Sequence, residues 1–197
     1  MYKLVATDMD ETFLDHDHQI PEANIRAMQR MKELGVLFVP SSGRWYSSIM
    51  DNFAHLDPAL LEGSYVISYN GGFINRVGDP NPLTSCGIGR ACAEELYALG
   101  RELGKCMHVN VADGHVFVCD APETERTYLE KITGVTHFSS ANHADLSFLD
   151  SRDIVKLIFM DPDFEGLQQL GRELEPMAQR LGVEITFSSK RYLEFMP

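Results

Sequence analysis

Two acids stand two residues apart just after a short apolar run: Lys3-Leu4-Val5-Ala6-Thr7 leads into Asp8-Met9-Asp10-Glu11-Thr12. Side chains two apart along a strand project the same way, so Asp8 and Asp10 share a face if the strand runs through them. If the backbone turns there, one of them diverges. Paired carboxylates can hold a cation, move protons or attack an electrophile. A plain Asp-x-Asp turn with two solvated carboxylates has the same spacing, so the surrounding elements must decide between these uses.

Residues 3–7 read as a buried strand ending at Asp8. Residues 20–34 read as a helix: Pro21 suits its first turn, Ile25, Met28, Met31 and Leu34 recur at helical spacing, and Gly35 closes it. Residues 36–40 form a second apolar strand, followed by Ser41-Ser42-Gly43-Arg44. A helix is expected over 45–55 and a third strand over 65–68, with Asn70-Gly71-Gly72 as a turn and 73–74 as a return. Strands alternating with helices imply a parallel sheet, and ligands of such sheets sit beyond the carboxyl ends of the strands. Asp8, Ser42 and Asn70 each fall just after a strand, which puts all three at one edge.

The pattern changes at Asp79-Pro80-Asn81-Pro82, a helix-averse stretch expected to be a linker. Beyond it the sequence predicts a helix over 88–104, and strands over 106–111 and 115–119 with a hairpin signal at Asp113-Gly114. Further on it predicts a helix over 122–132, a strand over 154–160, a helix over 163–181 and strands over 183–188 and 192–196. This is an α+β arrangement built on an antiparallel sheet. A formal net charge of −12 argues against nucleic acid and against an anionic membrane surface, and admits a phosphorylated ligand only where local positive charge or a cation overcomes the overall field. Four cysteines with no CxxC pair fit neither a zinc site nor a disulfide framework. The sequence shows no signal peptide and no apolar run of membrane-spanning length. A cytoplasmic protein is expected.

The segment from Lys3 to Leu14 resembles the first motif of the haloacid dehalogenase (HAD) superfamily, an apolar strand followed by DxDxT. Ser41-Ser42-Gly43-Arg44 resembles its second motif, and the Asn70-Gly71-Gly72 turn resembles the Asn-Gly-Ala turn of the Cof-type subgroup, in which a large α+β cap is inserted into the core. The resemblance covers essentially the whole chain. It implies an α/β fold, a Rossmann-like parallel-sheet core over 1–80 with an inserted α+β cap over 83–190, and a strand over 191–197 returning toward the core. It also implies roles. Asp8 would attack phosphorus and form an aspartyl-phosphate, and Asp10 would protonate the leaving oxygen and then activate water. Mg²⁺ would bind the Asp8 carboxylate and the Asp10 backbone carbonyl. Ser42 would bind a phosphoryl oxygen, aided by the Gly43 amide at a helix N-terminus. Arg44 and Asn70 would touch the substrate phosphate or hold the loop.

The sequence departs from the family in two respects. Glu11 stands where the family has Gly, so it either takes an ordinary conformation or carries modest strain, and it adds a third carboxylate that could perturb metal binding. The family's third motif, a Lys, and its fourth, an acidic GDxxxD loop, have no counterpart: Tyr192-Leu193-Glu194-Phe195-Met196-Pro197 matches the cap's final strand, and the sequence given ends there. Lys156 is expected to face solvent or a cleft, and Lys190 to lie in a turn. The core is therefore expected to be incomplete at its C-terminal side, leaving residues 3–7 as an exposed apolar edge that an oligomer could cover. The function expected is a Mg²⁺-dependent phosphomonoesterase acting on small, sugar-phosphate-like metabolites, with His108, Asn110 and His115 as candidate cleft residues. The alternatives are a non-catalytic phosphate- or partner-binding remnant and a phosphomutase, which shares Asp8 and Asp10.

Overall fold

The computed structural model describes residues 2–131 and 143–197, together with the backbone of 138–141. The chain divides into two compact units, Met1–Ser85 and Cys86–Pro197.

The first unit is a five-stranded sheet in the order β1-β2-β3-β4-β5, formed by Leu4–Asp8, Leu37–Ser41, Tyr65–Ser68, Phe73–Arg76 and Pro82–Ser85. The first three strands are parallel, with Asp8 in register with Ser41 and Ser41 with Ile67, and the last two return antiparallel. Helix α1 (Glu22–Glu33) crosses over from β1 to β2, and the shorter α2 (Tyr46–Asp51) follows β2. Met28 of α1 is buried, whereas Leu34, read in the sequence as part of the apolar stripe, is exposed just beyond the helix. Gly35 then takes φ +68, the left-handed conformation that closes the helix. The core gathers Met9, Phe13, Ile20, Met28, Phe38 and Ile49, with the Phe13 and Phe38 rings 4.6 Å apart. The stretch read as a linker ends in β5, which forms one edge of the sheet. At the other edge, Leu4 and Val5 of β1 are 46% and 42% exposed.

The second unit is a six-stranded sheet in the order β10-β11-β9-β6-β7-β8, formed by Glu184–Ser188, Tyr192–Met196, Ile154–Met160, Cys106–Val111, Val116–Cys119 and Phe138–Ala141. Tyr192–Met196, expected to return toward the core, instead lies inside this sheet, paired antiparallel with β10 on one side and β9 on the other. Both its faces have burial to gain, because Leu193 and Phe195 alternate with Tyr192 and Glu194. Helices α3 (Arg90–Glu102) and α5 (Phe164–Leu181) supply Leu96, Tyr97, Leu167 and Ala178 to a core shared with Met107, Val109, Leu157, Phe159, Leu193 and Phe195. Gly100 permits this packing, since a Cβ there would sit 2.3 Å from the Met107 sulfur.

The alternate residues of the same strands face the other way and join a smaller cluster with Leu129 of α4 (Glu123–Lys131). This face carries buried charge. Lys156 Nζ lies 2.6 Å from Glu194 Oε2, so the lysine expected to face solvent or a cleft is buried in an ion pair, and Ser188 donates to the other Glu194 oxygen. Glu125 of α4 is fully buried. It accepts a 2.6 Å hydrogen bond from the Tyr192 hydroxyl, pairs with Arg191, and lies 3.2 Å from His108 Nε2. Burial alone would push both carboxyls up. Around Glu125 the His108 and Tyr192 contacts and the Arg191 charge outweigh that push, and around Glu194 the Lys156 charge and hydrogen bonds do so; both groups end below the ordinary Glu value.

Removing one member of a buried pair strands the other. Lys156→Met is expected to lower the unfolding free energy by about 3 kcal/mol, and Lys156→Met with Glu194→Leu to recover most of that loss, as read by urea denaturation. A depressed folded pKa contributes stability that is fully present above the unfolded value, about 4.3, and is lost as pH falls through the folded value. Thermal midpoints should therefore hold between pH 7 and 5 and drop below pH 4, with a shallower drop in Glu125→Gln. An unchanged slope in that variant would show that Glu125 is not the titrating group.

Candidate active site

The loop after β1 is shaped by Met9. Its side chain is fully buried while Asp8 before it is exposed, and Phe13 re-enters the core four residues later. The chain leaves the strand between these anchors. Asp10 keeps extended angles (φ −70, ψ 131), Glu11 turns left-handed (φ 55, ψ 11), and Leu14 N donates to Met9 O at 2.9 Å. The sequence left the conformation of Glu11 open, and the structure resolves it as the strained alternative. Asp8 and Asp10 consequently meet different partners. Thr12 Oγ1 donates to Asp8 Oδ2 at 3.1 Å. The Asp10 carboxylate lies 3.3 Å from Arg44 Nε on one oxygen and 3.5 Å from His18 Nδ1 on the other.

The loops after β2 and β3 lock to each other through their backbones. Ser42 N donates to Ile67 O, Asn70 N to Ser42 O and Tyr69 N to Arg44 O, each at 3.0 Å. The last two bonds are made from consecutive left-handed residues, Tyr69 (φ 51) and Asn70 (φ 55). Gly43 lets the Asn70 side chain come close, since a Cβ there would sit 2.9 Å from Asn70 Oδ1 and push that side chain aside. Ser42 is buried, and its hydroxyl oxygen accepts from Arg44 N at 3.2 Å. Helix α2 begins only at Tyr46, so Gly43 lies in the preceding loop and not at a helix N-terminus as expected. Of the two roles the sequence left open for Arg44, the structure shows a holding contact: its guanidinium donates to Asn52 Oδ1 at 2.8 Å, beside α2, while its Nε lies 3.3 Å from Asp10 Oδ2.

The loops that carry Asp8, Ser42, Gly43, Arg44 and Asn70 thus follow the carboxyl ends of three adjacent parallel strands. His18 was not singled out in the sequence, and its only signal was a histidine within the polar run Asp15-His16-Asp17-His18. The other candidates lie in the second unit. His108 and Asn110 are buried on the β6 strand, and His115 sits at a hairpin with Nδ1 2.9 Å from Asp113 Oδ1. Lys190 is exposed in a turn with φ 51.

A parallel sheet with acids and a backbone-locked Ser-Gly-Arg loop after its strand ends defines an α/β protein whose candidate site residues follow neighbouring strand ends. Residues 5–197 match the family model described as haloacid dehalogenase-like hydrolase, and the chain belongs to that family of hydrolases. It is 33% identical to YxeH of Bacillus subtilis over 108 residues, which are 55% of this chain and 40% of that protein. It is 28% identical to a Yersinia pestis protein named HMP-PP phosphatase over 204 residues, covering 100% of this chain and 67% of the relative. The fold is similar to the structure of a haloacid dehalogenase-like hydrolase from B. subtilis, with a TM-score of 0.78 at 18% identity over 98% of this chain and 73% of that one. The chain thus spans between two fifths and about two thirds of the two curated relatives.

A left-handed non-glycine residue costs about 1–2 kcal/mol, and glycine gives back about half of that through its looser unfolded chain. Glu11→Gly is therefore expected to stabilise the first unit by about 0.5 kcal/mol in chemical denaturation; destabilisation would mean that the Glu11 side chain makes a compensating contact.

Proposed function

We propose that this chain carries the nucleophile half of a phosphatase site and acts, by an aspartyl-phosphate intermediate, on small phosphorylated metabolites of the sugar-phosphate class. The observation that carries the reading is the different environments of the two acids. Asp8 is exposed, with one oxygen held by Thr12, as suits a nucleophile. Asp10 lies near Arg44 Nε on one oxygen and near His18 Nδ1 on the other, and can serve as acid and then base. In the first step an Asp8 oxygen bonds to phosphorus, and the bond to the leaving oxygen breaks as that oxygen takes the Asp10 proton. In the second, Asp10 takes a proton from water, whose oxygen bonds to phosphorus and releases Asp8 and phosphate. The Ser42 hydroxyl and Gly43 amide would bind phosphoryl oxygens, and Arg44 and Asn70 would orient the loops around them.

The donor set fits a hard cation. The Asp8 carboxylate and the Asp10 carbonyl are oxygen donors, and Mg²⁺ takes one or two carboxylates while keeping water and substrate phosphate as its other ligands. Among the described residues no group of three or more His, Cys, Asp or Glu is arranged to hold a metal, so the set is sparse. When bound, Mg²⁺ would neutralise charge between the nucleophile and the phosphate. The relative named HMP-PP phosphatase supports a small phosphorylated substrate. Four unpaired cysteines, three of them buried, suit a cytoplasmic setting, and among the described residues no helix is long and apolar enough to cross a membrane.

Phosphate binding without turnover is favoured by one observation: Lys156, a candidate to neutralise the nucleophile, is committed to Glu194. Hydrolysis of p-nitrophenyl phosphate by the purified chain separates the two readings. The enzyme reading expects Mg²⁺-dependent turnover that EDTA removes and that Asp8→Asn lowers on the order of a thousandfold or more. Orthovanadate binding that Asp8→Asn weakens, with no turnover in the parent chain, would instead establish the binding-only role.

A further inference from the structure

The loop that joins the Asp8–Asp10 turn to α1 is closed on itself. Asp15 Oδ1 accepts from Asp17 N at 3.0 Å and Gln19 N at 2.9 Å, Asp15 N donates to Gln19 O at 2.9 Å, and His18 N donates to Asp15 O at 3.0 Å. That closure accompanies His18 at φ 56, a left-handed conformation uncommon outside glycine though better tolerated by histidine than by most residues. The result is an imidazole whose Nδ1 faces Asp10 Oδ1, opposite the Arg44 guanidinium on Oδ2. The carboxylate therefore has a nitrogen near each oxygen, His18 Nδ1 at 3.5 Å from the loop before α1 and Arg44 Nε at 3.3 Å from the loop before α2.

We propose that His18 is a positioning residue that fixes the Asp10 carboxyl for proton transfer to the leaving group, an inference that rests on the acid–base role assigned above to Asp10. General-acid catalysis contributes 10²–10⁴-fold when a proton must be delivered, and it matters least when the leaving group departs unaided. A residue that aims the acid should therefore matter in proportion to leaving-group basicity, which a residue that only holds the loop would not.

The test uses the full chain with two variants. His18→Gly removes the imidazole while accepting the left-handed backbone, and His18→Asn keeps a backbone that tolerates φ > 0 and places an amide nitrogen where Nδ1 stands. The expected result is that His18→Gly lowers kcat on glycerol 2-phosphate at least tenfold more than on p-nitrophenyl phosphate, with KM little changed, and that His18→Asn restores most of the difference. Equal losses on both substrates would reduce His18 to a loop-holding role and overturn the proposal. A second readout is independent of turnover: the ¹³C shift of the Asp10 side-chain carboxyl in the resting chain should move in His18→Gly and return in His18→Asn. A shift that stays put overturns the proposal whatever the kinetics. If the parent chain cleaves neither substrate, the phosphatase reading of this chain falls, and the carboxyl shift alone decides whether His18 holds Asp10.

Discussion

Met9 is buried between two acids that must stay near water, and the backbone around it has few ways to satisfy both demands. The strand cannot continue, because continuing it would carry Asp10 along the edge of the sheet beside Asp8. It cannot become a regular helix either, because Asp10 keeps extended angles and Glu11 turns left-handed. With Phe13 as the second anchor, the turn gives each carboxylate its own environment, a hydroxyl for one and a guanidinium and an imidazole nitrogen for the other. Chemical difference between two like residues follows from this placement, as paired carboxylates with separate tasks require.

The same economy operates in the loops beyond β2 and β3. Their mutual backbone hydrogen bonds hold the two loops together, the Ser42 hydroxyl adds a bond to Arg44 N, and Gly43 lets the Asn70 side chain approach closely. In the second unit, charge stabilises the sheet by being matched within it. Lys156 and Glu194 sit on neighbouring strands, and Glu125 ties α4 to that sheet through Tyr192, Arg191 and His108. Such pairs are poor sources of net stability but severe when broken, so they fix the register of the strands that carry them.

Much of this was legible in the sequence where a single run carried the information. The strands Tyr65–Ser68 and Ile154–Met160 coincide with apolar runs, and Asp8 and Ser42 follow from where such runs stop. What the sequence hid depended on partners far along the chain or on dihedral angles. Asp79-Pro80-Asn81-Pro82 read as a linker because prolines break helices, yet Pro82 opens the edge strand Pro82–Ser85, where a proline forfeits no ladder bond. Lys156 read as a solvated or cleft-facing charge because its counter-ion lies 38 residues away. His18 carried no motif at all, since its position is set by Asp15 closing a loop and by a left-handed angle that no periodicity encodes.

The acidity of the chain poses the remaining physical question, since 29 acids against 17 Lys and Arg create a field that repels phosphate. At physiological salt that field decays over about 8 Å, so acids more distant than this count for little against groups in contact. What an incoming phosphoryl group meets at the proposed site is therefore decided by its immediate neighbours: backbone amides, the Ser42 hydroxyl, and the cationic side of the Asp10 clamp. Arg44 is already shared between Asn52 and Asp10, which lowers its worth as a free anion binder and raises its worth as a fixed dipole and charge. At the proposed site, Asp8 and the Asp10 carbonyl would hold a cation that offsets the repulsion between the nucleophile and its target.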